Sequence, residues 1–178
     1  MNLIGLAGAI NVHGFLHCNE LHRLVELACN RDVLEIGSFR GLSAWGMGLT
    51  AKTLTCVDRF SATSDGVGES GNVTTLRDFL RATARYSQEM MLHYVGTSER
   101  AVVDIEGSFD MIFVDGDHSY NGVKSDIERW GSKLRPGGIW AFHDYAGEGA
   151  QYPGVKQAVD EKFGIPEDVC VTLRVVKT

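Results

Sequence analysis

Apolar residues recur along this chain in two rhythms that alternate. Val123, Ile127, Trp130 and Leu134 return at intervals of four, three and four, which lines one face of a helix. Leu21, Leu24, Val25 and Ala28 keep the same period behind Asn19, a residue able to cap a first turn. Leu42, Trp45 and Leu49 predict a helix over about 41–50, and Leu76, Phe79, Leu80 and Ala84 another that ends near 86. A short helix over 98–105 and a last one carrying Val155, Ala158, Val159 and Phe163 complete the set. Between the helices stand short apolar runs at 32–36, 53–57, 91–95, 111–114 and 139–142, with a final one at 169–176. Runs that are apolar throughout, with no polar alternation, read as strands covered on both faces.

The punctuation between these elements is glycine-rich. Pro136-Gly137-Gly138 reads as the stop after the Val123 helix, Arg59 to Asn72 as a pliable Gly/Ser-rich stretch, and Gly147 to Pro153 as a loop. Residues 1–17 predict a loop or lid. Regular strand–helix alternation gives the fold class: α/β, a doubly wound, mostly parallel sheet with helices on both faces. Its 178 residues suit a single domain, with 1–30 as an N-terminal lid and helix and 31–178 as the core. Right-handed crossovers bring the C-terminal ends of parallel strands to one edge, where such sheets bind ligands. Gly37, Asp58, Gly96, Asp115 and the pair His143-Asp144 stand at those ends.

Composition narrows the partner. The net charge is −6, and no cluster of Lys and Arg marks a surface for nucleic acid. Cys18, Cys29, Cys56 and Cys170 show neither a C-x-x-C pair nor zinc spacing, so they read as reduced thiols of a cytoplasmic protein. The opening MNLIGLAGAI is too short for a span and has no basic lead, which predicts neither signal peptide nor membrane partner. A small molecule is the expected partner, with room left for a homo-oligomer.

The candidate chemistry lies at the strand ends. In VLEIGSFRG, residues 33–41, a strand stops at a glycine turn and feeds a helix, exposing backbone N–H groups to an anionic ligand group. The spacing G-x-x-x-G departs from the dinucleotide fingerprint. Asp58 follows about 20 positions later, where an acid in doubly wound nucleotide sites holds the ribose hydroxyls. FVDGDHSY, 113–120, packs Asp115, Asp117 and His118 into one strand-to-helix turn, and one of its polar groups also suits a helix cap. His118 is the side chain there able to trade a proton near neutral pH. His143 and Asp144 in AFHDY end the neighbouring strand, so Asp115, His143 and Asp144 form a candidate metal set. A hydrogen-bonded polar pair joining two loops is the alternative.

Taken in order, VLEIGSFRGLS, the Asp58 strand end, YVGTSER, FVDGDHSY, LRPGG and AFHDY resemble class I S-adenosylmethionine-dependent methyltransferases. The closer likeness is to the small DGDHSY-type branch related to macrolide-sugar O-methyltransferases and cephalosporin-hydroxylase-like proteins. The resemblance implies a Rossmann-like methyltransferase fold and transfer of a methyl group to a small-molecule hydroxyl. It implies S-adenosyl-L-methionine as cofactor, with magnesium or another divalent cation as an option. Glu35, Gly37, Ser38 and Gly41 would surround the methionine part, Asp58 the ribose, and Gly96, Thr97 and Ser98 the adenine. Asp115 would face both cofactor and metal, and His118 would serve as general base. The chain departs from metal-dependent relatives in carrying His143 where they have an acid, and in offering one C-terminal strand where the fold has an antiparallel pair. Competing readings are a nicotinamide-dependent oxidoreductase on the same architecture and a non-catalytic cofactor-binding module.

Overall fold

The computed structural model describes residues 3–9, 11–60, 73–146, 152–164 and 168–178. Its elements run α1 (Leu3–Ala9), α2 (Cys18–Ala28), β1 (Asp32–Ile36), α3 (Leu42–Met47), β2 (Thr53–Asp58), α4 (Val73–Thr83) and β3 (Met91–Val95). They continue with α5 (Ser98–Asp104), β4 (Phe109–Val114), α6 (Tyr120–Trp130), β5 (Leu134–Phe142), α7 (Pro153–Phe163), β6 (Asp168–Cys170) and β7 (Leu173–Lys177). Seven strands form one sheet in the order β3-β2-β1-β4-β5-β7-β6. The first five are parallel, and β7 runs antiparallel to both its neighbours.

Residue alternation along the central strands shows why they are apolar throughout. Val33, Met111, Phe113, Ile139 and Ala141 face a layer formed with α1 to α4, where Leu21, Leu24, Trp45 and Phe79 are fully buried. Leu34, Ile36, Ile112, Val114, Trp140 and Phe142 face the opposite layer, formed with α5, α6 and α7 around Trp130 and Val159. Over these central strands both faces of the sheet exclude water, and each buried large side chain contributes on the order of 1.5–3 kcal/mol. The chain leaves β1 to one side for β2 and β3, then returns to the other side for β4 and β5. The order therefore reverses between β1 and β4, which opens a crevice beyond their C-terminal ends.

Several boundaries differ from the sequence expectation. Leu3–Ala9 is a helix that packs Leu3 and Ala7 into the core, where a loop was expected. The cap of α2 is His17, whose ring accepts the Asn19 N–H while Glu20 reaches back to the His17 N–H. α3 stops at Met47, so Leu49 falls beyond it and is partly exposed. α6 ends at Trp130, passes through a 3-10 turn over Gly131–Lys133, and the Pro136-Gly137-Gly138 stretch lies inside β5, where the register with β4 shifts. The final apolar run is two strands: β6 and β7 form a hairpin about Val171 and Thr172, supplying the antiparallel pair that one strand could not. The pliable stretch expected at 59–72 and the loop at 147–153 fall mostly outside the described residues. Among the described residues no helix is long and apolar enough to cross a membrane.

Candidate active site

The glycine turn is locked between two strands. Gly37 N–H continues the ladder to Val57 O at 2.8 Å, and Asp115 N–H reaches Ile36 O at the same distance. Gly37 has φ +89°, and a Cβ built on it would stand 2.1 Å from the Asp115 carbonyl oxygen. Only glycine allows the turn to lie this close to β4. Past the turn, the Ser38 and Phe39 N–H groups both donate to Asp58 Oδ2 at 2.8 Å, and Phe60 N–H donates to Oδ1 at 2.6 Å. Asp58 thus closes onto the first turn from the neighbouring strand, and its carboxylate oxygens keep acceptor capacity for hydroxyls. Gly41, also at φ +89°, is the N-cap of α3.

Glu35 lies beneath this turn. It is completely buried, Ser38 Oγ donates to its Oε2 at 2.5 Å, and Oε1 has no partner. Burial pushes its carboxyl up to about 7, against hydrogen bonds from Ser38 and Ser43. A buried oxygen without a donor is costly unless something supplies one. Glu35 Oε1 beside a turn that admits no Cβ is what a cationic ligand group would complete.

The second cluster lies at the ends of β4 and β5. His118 Nε2 is 3.3 Å from Asp144 Oδ2 and 3.5 Å from Asp115 Oδ1, and the three side chains present ligand atoms within 4.8 Å of one another. The His118 ring is stacked on Tyr152, with centroids 4.2 Å apart and planes 19° apart. Gly154 at the start of α7 makes this fit, because a Cβ there would lie 2.5 Å from Tyr120 N. Ser119 caps α6 through Gly122 N–H, and Asp117 Oδ1 accepts from Ser119 N–H, so the capping work in DGDHSY falls to those residues. Phe39, Phe60 and Asp144, following β1, β2 and β5, have φ of 45°, 48° and 54°. Non-glycine residues with positive φ are uncommon, and their grouping at one sheet edge fits strain held at a functional site.

His143 belongs to the same cluster, with both ring nitrogens facing carboxylates. Its Nδ1 is 3.0 Å from Asp115 Oδ1 and 3.4 Å from Asp144 Oδ2, and its Nε2 is 3.3 Å from Glu20 Oε2. Burial opposes the charged ring, but the carboxylates of Asp115, Asp144 and Glu20 outweigh it and hold His143 well above the ordinary imidazole range. Desolvation likewise works against ionised Asp115, while His143 and His118 beside it bring the carboxyl down to about 2. With both ring nitrogens facing carboxylates, His143 has no lone pair aimed outward. The groups whose ligand atoms lie together are the half-buried Asp115, His118 and Asp144, whereas the sequence set was Asp115, His143 and Asp144.

The third strand end is less committed to a ligand. Gly96 N–H bonds Asp58 O at 2.9 Å, and Thr97 caps α5 through Arg100 N–H. Ser98 Oγ donates to Asp126 and accepts Trp130 Nε1–H at 2.7 Å, so the hydroxyl is already engaged within the fold. Two residues of the site carried no sequence signal that reasoning used. Tyr152 sits in a loop, and Glu20 is marked in the sequence only by its spacing of three from His17, that of a capping box.

The geometry has counterparts among known proteins. Residues 34–145 match a family described as a methyltransferase domain, a stretch running from β1 to just past β5. An uncharacterized protein of Sinorhizobium fredii, y4gI, is 47% identical over 49 residues, which is 27% of this chain and 5% of that protein. The O-methyltransferase NovP superposes with a TM-score of 0.71 at 19% identity, over 93% of this chain and 81% of its own. An O-methyltransferase from Bacillus cereus, in complex with SAH, gives 0.62 at 15% identity over 99% and 89%. At such identities the two structures share the fold with this chain. The family match spans well over half of the sequence, including both strand-end clusters, and the chain belongs to the methyltransferase-domain family.

Proposed function

We propose that the protein transfers a methyl group from S-adenosyl-L-methionine to a hydroxyl oxygen of a small molecule. The observation that carries this reading is the convergence on one crevice of the Gly37 turn, the unpaired Glu35 Oε1 and Asp58, with Asp115, His118 and Asp144 at the adjoining strand ends. NovP and the Bacillus cereus protein, both O-methyltransferases on this fold, support it, as does the SAH bound to the latter.

S-adenosyl-L-methionine supplies, when bound, a methyl carbon on a sulfonium that is open to in-line displacement. Glu35, Gly37, Ser38 and Gly41 would hold its amino-acid end, Asp58 the ribose hydroxyls, and Gly96 to Ser98 the edge of its base. His118 takes the proton of the acceptor hydroxyl on its ring, and Asp115 and Asp144 beside Nε2 stabilise the resulting imidazolium. The deprotonated oxygen would be the nucleophile toward that methyl group, with SAH as the leaving thioether. Tyr152 keeps the His118 ring in the plane this requires. Positioning of the acceptor supplies much of the rate. The acidic balance of the chain favours a small acceptor over nucleic acid.

A cation is a second reading, favoured by the convergence of Asp115, His118 and Asp144. Two carboxylates and an imidazole suit manganese, iron or zinc better than magnesium, which prefers oxygen alone. Such an ion would polarise a bound hydroxyl, and it would occupy the nitrogen that the base needs. The test is SAH release from S-adenosyl-L-methionine over a panel of phenols and sugars, with and without a chelator. His118→Ala is expected to lower turnover on the order of 10²–10⁴-fold with SAH affinity kept. Equal loss of affinity and turnover contradicts the assignment of the base, and full loss on chelation favours the cation.

A further inference from the structure

Glu20 is a glutamate of α2 with 1% of its surface exposed, and four donors from three segments meet its carboxylate. Oε1 accepts Thr172 N–H at 2.8 Å and Thr172 Oγ–H at 2.6 Å, both from the turn of the C-terminal hairpin. Oε2 accepts His17 N–H at 2.8 Å and faces His143 Nε2 at 3.3 Å. Capping α2 needs the bond to His17 alone, and many helices cap themselves with an exposed glutamate. Burying a carboxylate has a desolvation cost that pairing must offset, so the three further donors ask for an explanation.

Both ring nitrogens of His143 meet acceptors that have no proton of their own to give, so each nitrogen must carry one. The Nε2–H points back to Glu20, and this fixes the ring so that Nδ1–H lies between Asp115 Oδ1 and Asp144 Oδ2. Those are the same two oxygens that flank His118 Nε2. Asp144 also holds a positive φ of 54°, a conformation that persists only where its surroundings enforce it. We propose that Glu20 is a positioning residue of the methyl-transfer site: it clamps the His143 ring from behind, and the ring in turn holds Asp115 and Asp144 converged on His118. The site's geometry then depends on α2 and the C-terminal hairpin, both outside the stretch that matches the family. The role in catalysis rests on the proposed methyl transfer; the clamp itself does not.

The clamp is read from the ring protons of His143 in the full chain labelled with ¹⁵N-histidine, assigned by their loss in His143→Asn. Wild type is expected to show two hydrogen-bonded ring N–H signals from that residue. Glu20→Ala removes the Nε2–H signal to solvent exchange, and Glu20→Gln retains it, shifted upfield because a neutral amide is the weaker acceptor. Thr172→Val takes away a bond to Glu20 without touching His143, so it lowers the melting temperature and leaves both signals in place. SAH affinity, measured by calorimetry, is expected to stay within twofold in all three variants. The proposal is overturned if both signals survive Glu20→Ala, or if Thr172→Val erases them as completely. Should Glu20→Ala not fold, an unshifted signal in Glu20→Gln overturns it as well. Failure of wild type to bind SAH would count against methyl transfer and leave the clamp to stand or fall on the spectra.

Discussion

Replacing Gly37 by alanine probes the point where the two halves of the crevice touch. The new Cβ would lie 2.1 Å from Asp115 O, 2.4 Å from Asp115 C and 2.7 Å from Gly116 Cα, all backbone atoms that no rotamer change can move aside. Non-bonded carbon contacts settle near about 3.5 Å, so β1 and β4 must part by about 1 Å at their ends. An L-residue held at φ +89° adds roughly 1–2 kcal/mol of backbone strain. The parting also stretches the hydrogen bonds from Asp115 N to Ile36 O and from Gly37 N to Val57 O, each contributing about 0.5–1.5 kcal/mol. The sum is about 2–5 kcal/mol, a large share of the roughly 5–15 kcal/mol that stabilises a domain. Urea unfolding followed by tryptophan fluorescence should show the midpoint falling by roughly 1–2 M with an unchanged slope. SAH binding should be lost under conditions where the variant is still folded. A variant within about 0.5 kcal/mol of wild type, the range of ordinary surface substitutions, would refute the claim that this approach is tight.

Asp126 offers a test through pH. Burial pushes its carboxyl up to about 7, with the hydrogen bond from Ser98 working against that shift. A folded pKa above the unfolded one means that the native state binds the extra proton, so stability falls as pH rises from about 4 to about 7. Asp126→Asn keeps an oxygen for Ser98 and removes the penalty; its melting temperature should exceed that of wild type at pH 8, and the two should agree near pH 4. A gap that does not change with pH would contradict the burial argument. At the other cluster, Tyr152→Ala takes away the ring under His118 and should lower turnover several-fold, while Tyr152→Phe keeps the stack and the rate. Equal losses in the two variants would assign the effect to the phenol hydroxyl and not to the ring.

Much of the crevice was legible because its parts are local. The strands at 32–36 and 91–95 coincide with β1 and β3, since an apolar run between turn signals marks a strand both in the buried centre and, for β3, at the exposed edge. Gly37 and Asp58 announced themselves by spacing, and the structure joins them through Ser38 and Phe39 N–H. The C-terminal hairpin was not legible, for a physical reason. Tight hairpins usually turn on Asn-Gly or a similar pair, whereas this one turns on Val171, a β-branched residue at φ +59°, and Thr172. What makes the turn tolerable is Glu20, some 152 positions away, which accepts both donors of Thr172. Helix α1 was hidden because Gly5, Gly8 and alanine leave almost no periodic signal. The placement of His143 between Glu20 and Asp115 involves the same remote glutamate, and pattern within a strand end does not carry it.

The most direct test of the account is a calorimetric titration of SAH into wild type and Asp58→Ala. Saturable binding by wild type at one site per chain, weakened at least about tenfold when the carboxylate that grips the first turn is removed, is the predicted result; about 1.4 kcal/mol is a modest loss for a hydroxyl contact to an anion. No binding to wild type, or equal affinity in the two proteins, would contradict the reading of the Gly37–Asp58 crevice as the cofactor site.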